Sequence, residues 1–275
     1  MRVLFLGDVV GRAGRAGIVD MLPRIREKYE LDFVVVNGDN AAGGFGISED
    51  ILEQLLDAGA DVVTGGDHVW DQRETLVFIE RQDRLLRPVN FPKGVPGRGS
   101  QIYKTKTGLD VLVVHALGRV FMPEMDCPFA AIESEIGETP LGQAVDAILI
   151  DFHAEATSEK QAMGHFLDGR VSMVVGSHTH TPTADGRVLD GGTAYLTDAG
   201  MCGCYDSVIG MEKEEPLERF LSRVPRGRFK PQIGDVTLCG FCVETDDETG
   251  LARRVAELRL GGHLGPAEPL FWVSI

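Results

Sequence analysis

Apolar residues along this chain fall into short continuous blocks, each ending abruptly in a polar side chain. Five blocks share one form: "RVLFLGD", "DFVVVNGDN", "DVVTGGDH", "AILIDFH" and "VSMVVGSHTH". Each is aliphatic or β-branched for a few residues and then meets Asp, Asn or His. Unbroken apolar runs of this length suit strands covered on both faces, as in a parallel or mixed sheet with helices outside. The segments between them carry a helical period. "SEDILEQLLDAG" opens on the capping residue Ser48, places Ile51, Leu52, Leu55 and Leu56 on one face, and stops at Gly59. "SEKQAMGHFLDG" repeats the pattern before the fifth block.

In open α/β sheets, ligands bind beyond the carboxyl ends of the strands. The five polar endings are therefore expected on one rim. After residue 185 the pattern changes to shorter runs, "TAYLTDAG", "DVTLCGFCVET" and "LARRVAELRL", separated by turns such as "DDETG". These predict a second, more antiparallel sheet packed on the first. No repeat or linker divides the chain, so residues 1–275 are expected to form a single domain. Two stretches, "RVFMPEMDCPFAAIESEIGETP" and "GMEKEEPLERFLSRVPRGRFKPQ", read only as loops with short helices, suited to walling the rim.

Composition narrows the function. A net charge of −15 repels duplex nucleic acid and anionic membranes, and no basic tract offsets it. No apolar run approaches the roughly 18 residues of a membrane span, and the run before Asp8 is too short for a secretory signal. A cytoplasmic protein is the expectation, with homo-oligomerisation left open. Of the five cysteines, Cys202, Cys204, Cys239 and Cys242 could supply a four-thiolate zinc site, but residues three apart on a strand face opposite ways. Unligated thiols are the expected state.

The chemistry lies in the block endings. His178 and His180, two apart beyond a strand, can address one small volume as neutral imidazole ligands. Capping histidines explain them as well. His153 ends another block in the same way. Asp8 and Asp39 are ordinary helix-cap positions taken singly. Taken with the histidines they form an oxygen and nitrogen set that suits two divalent cations sharing one carboxylate. Asn40 offers an amide oxygen, or an Asx turn. Asp67 is a ligand or a cap. His115 is expected behind the ligands, and His165 and His263 on the surface. Arg119 and the glycine-rich 41–47 loop are candidate phosphate contacts, each with a bland alternative. Gly7, Gly11 and Gly14 suggest a dinucleotide-binding turn, but their spacing departs from G-x-G-x-x-G and leaves the histidines unexplained.

With these endings in order, the chain resembles the calcineurin-like metallophosphoesterases, whose pattern of acid, "GD", "GNH", lone His and "GHTH" reads here as "LGDVV", "NGDN", "GGDH", "DFH" and "GSHTH". "GDVVGRAGR", "VVNGDNAAGGFGI", "LGRVFMP" and "TDAGMCGCYDSVIGM" resemble the YmdB-type bacterial phosphodiesterase branch more narrowly. The resemblance implies a four-layer αββα sandwich of mixed sheets, with two metals at the strand carboxyl ends. Carried over by motif, Asp8, Asp39, Asn40 and His180 would hold one metal. Asp39, Asp67, His153 and His178 would hold the other, and His68 would be the general acid. Two departures stand out: Val10 stands where the usual D-x-H places a histidine two after the first acid, and Asp67 takes the place of the "GNH" amide. The expected reaction is hydrolysis of small phosphodiesters such as 2′,3′-cyclic nucleotides by a hydroxide bridging the metals. The donor set suits iron or manganese, with zinc possible. The alternative is a regulatory protein that binds metal or nucleotide with little turnover.

Overall fold

The structure, a computed structural model, describes residues 1–273. Two sheets stack face to face with helices outside both, giving the expected α-β-β-α order of layers. In spatial order the first sheet runs Asp8–Val9, Met201–Cys204, Val236–Thr245, Arg2–Leu6, Phe33–Asn37, Val62–Thr64 and Leu85–Leu86, and Ala252–Leu260 also pairs with Val236–Thr245. The second runs Arg187–Val188, Ala194–Leu196, Met173–Ser177, Ala147–His153, Asp110–Leu117 and Ser100–Lys104. The helices are α1 (Gly11–Lys28), α2 (Glu49–Asp57), α3 (Thr75–Phe78), α4 (Pro128–Gly137), α5 (Thr157–Leu167) and α6 (Glu214–Ser222).

Strand alternation sorts one run of apolar residues into two cores. In Arg2–Leu6, Leu4 and Leu6 pack beneath α1 and α2, while Val3 and Phe5 face the opposite sheet. Phe33 and Val35 join that inter-sheet core with Val111, Leu149 and Met173 from across it. A third core lies under α4 and α5, where Ile132, Ile136, Met163 and Leu167 cover Ile148 and Ile150. Buried on both faces, these strands have no polar side to show. That is why the blocks are continuous.

The five blocks do not share one sheet. The first three align in parallel in the first sheet, with Val3 opposite Phe33 and Val35 opposite Val62. The last two lie in parallel in the second sheet, with His153 opposite Ser177. The expectation of a separate antiparallel sheet after residue 185 is corrected. Val236–Thr245 inserts into the first sheet against Arg2–Leu6, with Phe5 opposite Phe241, and Ala194–Leu196 extends the second.

The expected helices form. Ser48 caps α2 by accepting the Ile51 N–H at 3.3 Å, and Gly59 leaves the helix at φ 113°. The two stretches expected as loops with short helices contain α4 and α6. Cys242 lies in the helix-side core with Cys202, and Cys239 falls on the other face of the same strand, where its sulfur meets the Tyr205 hydroxyl. A Cβ at Gly14 would meet the Cys202 carbonyl oxygen at 2.2 Å, so this glycine serves close helix–sheet contact.

Candidate metal centre

The strand ends of both sheets open onto one rim. Asp8 follows the first strand, Asp39 and Asn40 the second, and Asp67 and His68 the turn after Val62–Thr64. His153 is the last residue of its strand, and His178 and His180 follow Met173–Ser177. Backbone strain aims them. His178 (φ 100°) and His180 (φ 63°) are non-glycine residues in the left-handed region, which turns both imidazoles off the strand axis toward one volume. Gly66 at φ 55° lies against the Asp39 carboxylate, and a Cβ there would stand 2.1 Å from Oδ1. This contact lets the next turn hold Asp39, whose Oδ1 accepts the His68 N–H at 2.8 Å.

All eight residues expected at the site meet there. His153 Nε2 stands 3.0 Å from Asp67 Oδ1, 3.1 Å from His178 Nδ1 and 3.6 Å from Asp39 Oδ2. His180 Nε2 lies 3.0 Å from Asn40 Oδ1 and 3.9 Å from Asp8 Oδ1. Three overlapping donor groups could each hold a metal ion: Asp67–His153–His178, Asp8–Asp39–His153 and Asp39–Asp67–His68. His68 thus sits close enough to serve as a ligand, but its Nδ1 is engaged by Asp71 Oδ2 at 2.8 Å.

A buried network sets which atom each donor presents. Ser177 Oγ donates to Asp151 Oδ1 at 2.6 Å, so it accepts from His153 Nδ1 at 2.9 Å and leaves the Nε2 lone pair for the rim. Asp151 Oδ2 also accepts from Thr64 Oγ1 (2.6 Å), Asn37 Nδ2 (3.0 Å) and His115 Nδ1 (3.1 Å). His115 Nε2 in turn accepts the Gly66 N–H at 3.0 Å. His180 Nδ1 donates to the Ile209 carbonyl at 2.7 Å, and Asn40 Nδ2 to the Gly44 carbonyl at 3.1 Å. Two acceptors, His180 Nε2 and Asn40 Oδ1, are therefore turned toward each other. Asp198, paired with buried Lys160 at 2.6 Å, accepts the Thr179 N–H and holds the histidine loop.

Acceptors outnumber donors at the centre. Asp8 Oδ1 is the one buried side-chain polar atom among the described residues without a hydrogen-bond partner. Burial pushes the Asp8 carboxyl up to about 6, despite the pull of His153. Burial, with the charges of Asp67 and Asp8, raises Asp39 well above the usual carboxylate range. At Asp67 the burial penalty is outweighed by the His153 and His178 imidazoles set against it, and the carboxyl falls well below that range. Burial lowers His153 and His180, keeping both neutral as ligands require. Carboxylate, amide and imidazole donors converging on one point fit divalent cations.

Beyond this pole the rim opens into a cavity of ≈ 680 Å³, walled on its far side by residues between Val208 and Phe229 and reached by Phe45 from the 41–47 loop. Arg119 is not among its lining residues. It is exposed, and its N–H is held by the Glu159 carboxylate at 3.0 Å. His115 is wholly buried behind Gly66.

Stacked mixed sheets with a carboxylate–imidazole cluster at the strand ends define a metallophosphoesterase. The YmdB-like protein family matches residues 4–258, and the chain belongs to it. The Bacillus subtilis 2′,3′-cyclic-nucleotide 2′-phosphodiesterase is 44% identical over 258 residues, covering 94% of this chain and 96% of that protein. A Mycoplasma genitalium protein named as a putative phosphatase/phosphodiesterase is 34% identical, covering 94% of this chain and 93% of its own length. Among solved structures, a hypothetical protein from Thermus thermophilus superposes with a TM-score of 0.88 at 38% identity, covering 96% of this chain and all of that one. A Mycoplasma pneumoniae phosphatase also reaches 0.88, at 32% identity, covering 98% and 95%.

Sequence reasoning passed over Asn37, Asp151, Ser177 and Asp198. One signal was available: Asp151 interrupts the otherwise apolar "AILIDFH", and a carboxylate inside a strand covered on both faces must have partners. The others lie at strand ends where any polar residue is ordinary.

Proposed function

We propose that this protein is a dinuclear-metal phosphodiesterase acting on small phosphodiesters, 2′,3′-cyclic nucleotides foremost. Asp8, Asp39, Asn40 and His180 would hold one cation. Asp67, His153 and His178 would hold the other, with Asp39 shared. The observation that carries the reading is the unpartnered Asp8 Oδ1, buried within reach of His153 and His180. The names of the B. subtilis and Mycoplasma relatives support the phosphodiester substrate. The donor set favours iron or manganese over zinc, and the absence of thiolate from it separates it from structural zinc sites. Among the described residues no helix is long and apolar enough to cross a membrane, and the proposed setting is the cytoplasm.

Two bound cations would supply charge neutralisation at the phosphoryl oxygens and a nucleophile at neutral pH. The chain's own part is positioning and proton transfer. With Nδ1–H donated to Asp71, His68 as the imidazolium carries its second proton on Nε2 at the cavity wall. That Nε2–H can protonate the departing ribose oxygen as that P–O bond breaks and the bond from phosphorus to the water oxygen forms. Such general-acid assistance is worth about 10²–10⁴ in rate. Phe45 packs edge-on against the imidazole at 5.1 Å and restricts its swing.

The decisive experiment is elemental analysis of the purified protein together with hydrolysis of a diester and monoester panel. About two transition-metal ions per chain and preference for diesters are expected. No bound transition metal after metal-replete expression would refute the reading.

A further inference from the structure

The cavity has two chemically different ends. One is the cluster of acids and imidazoles. The other is apolar and comes from the 208–229 segment, chiefly Ile209, Met211, Phe220 and Phe229. Phe220 is 82% exposed and Ile209 56%, so the lip shows apolar surface to water beside a polar site. The one guanidinium on this wall is already committed. Arg219 Nε donates to Glu215 at 2.7 Å and Nη2 to the Gly227 carbonyl at 2.9 Å, and its plane lies over the Phe229 ring at 4.0 Å. Two of its five N–H groups are thus used within the segment, and its plane is stacked on Phe229.

The wall is also tied to the metal-ready end. Ile209, a β-branched residue at φ 46°, is a backbone outlier whose carbonyl accepts from His180 Nδ1. Strain of this kind persists only where the surroundings enforce it. The apolar lip and the ligand histidine are thus set by one peptide.

Taking the phosphodiesterase reading as its base, we infer that this wall is the nucleobase subsite, with Phe220 and the Arg219–Phe229 stack as the specificity-determining surface. A phosphate diester alone would leave the apolar end empty and wet. A planar heterocycle attached to it through ribose would cover the lip. Aromatic and guanidinium planes bind any base by its π-face, so the subsite selects for a base rather than for one base.

The test compares adenosine 2′,3′-cyclic phosphate with the base-free 1-O-methylribose 2′,3′-cyclic phosphate on the metal-loaded protein. Binding of adenosine 3′-monophosphate and ribose 3-phosphate is measured alongside by calorimetry. Wild-type protein should favour the nucleotide at least tenfold in KM and in Kd, and Phe220→Ala, a substitution at an exposed position, should shrink both ratios about tenfold. Ratios near one in the wild type, or unchanged by Phe220→Ala, would overturn the subsite. Loss of hydrolysis toward both cyclic phosphates, with the binding ratio intact, would instead defeat the catalytic reading and leave the subsite standing.

Discussion

Asp8 keeps a buried carboxylate oxygen with no donor, an arrangement that costs about 1–3 kcal/mol unless a ligand relieves it. The cost is expressed as protonation in the metal-free protein. With Asp8 raised to about 6, Asp39 well above the usual range and His178 also raised, these groups hold protons that a cation must displace. The sign follows: metal binding should release more protons at pH 6 than at pH 8. Calorimetry in buffers of different ionisation enthalpy measures this directly, and equal release at both values would show that Asp8 is not displaced. His68 behaves differently, because its Nδ1 is engaged by Asp71. His68→Ala is expected to retain its metal content and lose about 10²–10⁴ in turnover. Full activity would remove it from the reaction. Asp67→Asn removes a charge facing two imidazoles and should weaken metal retention on dialysis against a chelator.

At the level of strands and turns, one carboxylate joins the two sheets at the rim. Asp151, in the second sheet, accepts from Thr64 and Asn37 of the first and from His115 and Ser177 of its own. Burial opposes its ionisation, but the His115 imidazole and the Ser177 hydroxyl that donate to it hold it down at about 2. Asp151→Ala would take the carboxylate acceptor from four buried donors. A loss of about 3–5 kcal/mol in a denaturant melt is expected, and a change below 1 kcal/mol would show that water replaces the carboxylate. The turn at Gly66 is a second such element. Its φ of 55° and the Asp39 oxygen against it mean that Gly66→Ala must move the Asp39 carboxylate, lowering metal affinity as well as stability. Unaltered metal affinity in that variant would contradict the geometry.

Across the whole molecule, a net charge of −15 would repel an anionic substrate, and cations held at the rim would reverse that field locally. Cations that bind only the folded chain also stabilise it, by about 2.7 kcal/mol per site at a hundredfold excess over Kd. Chelation should therefore lower the melting temperature by several degrees, and restored metal should recover it. At this scale the limits of sequence reading show. The helix α2 and the five block endings were legible because a cap, an apolar stripe and a terminal acid are local patterns. The place of Val236–Thr245 was not, because its partner Arg2–Leu6 lies more than two hundred residues away and nothing in either run names the other.

The sequence by itself marked the rim and the polar residues Asp8, Asp39, Asn40, Asp67, His153, His178 and His180 that meet there, while the layer order and their proposed ligand roles came through the family resemblance. Covered strands must be apolar throughout, so the polar residues that end them mark where the covering stops. Tertiary structure decided how those donors are aimed. The left-handed bends at His178 and His180, the Asp151–Ser177–His153 chain and the pairing of His180 with the Ile209 carbonyl all join residues remote in sequence. It also decided that the 208–229 segment folds back over the site. A hydrogen bond between distant strands depends on register and packing, which only the assembled sheets supply.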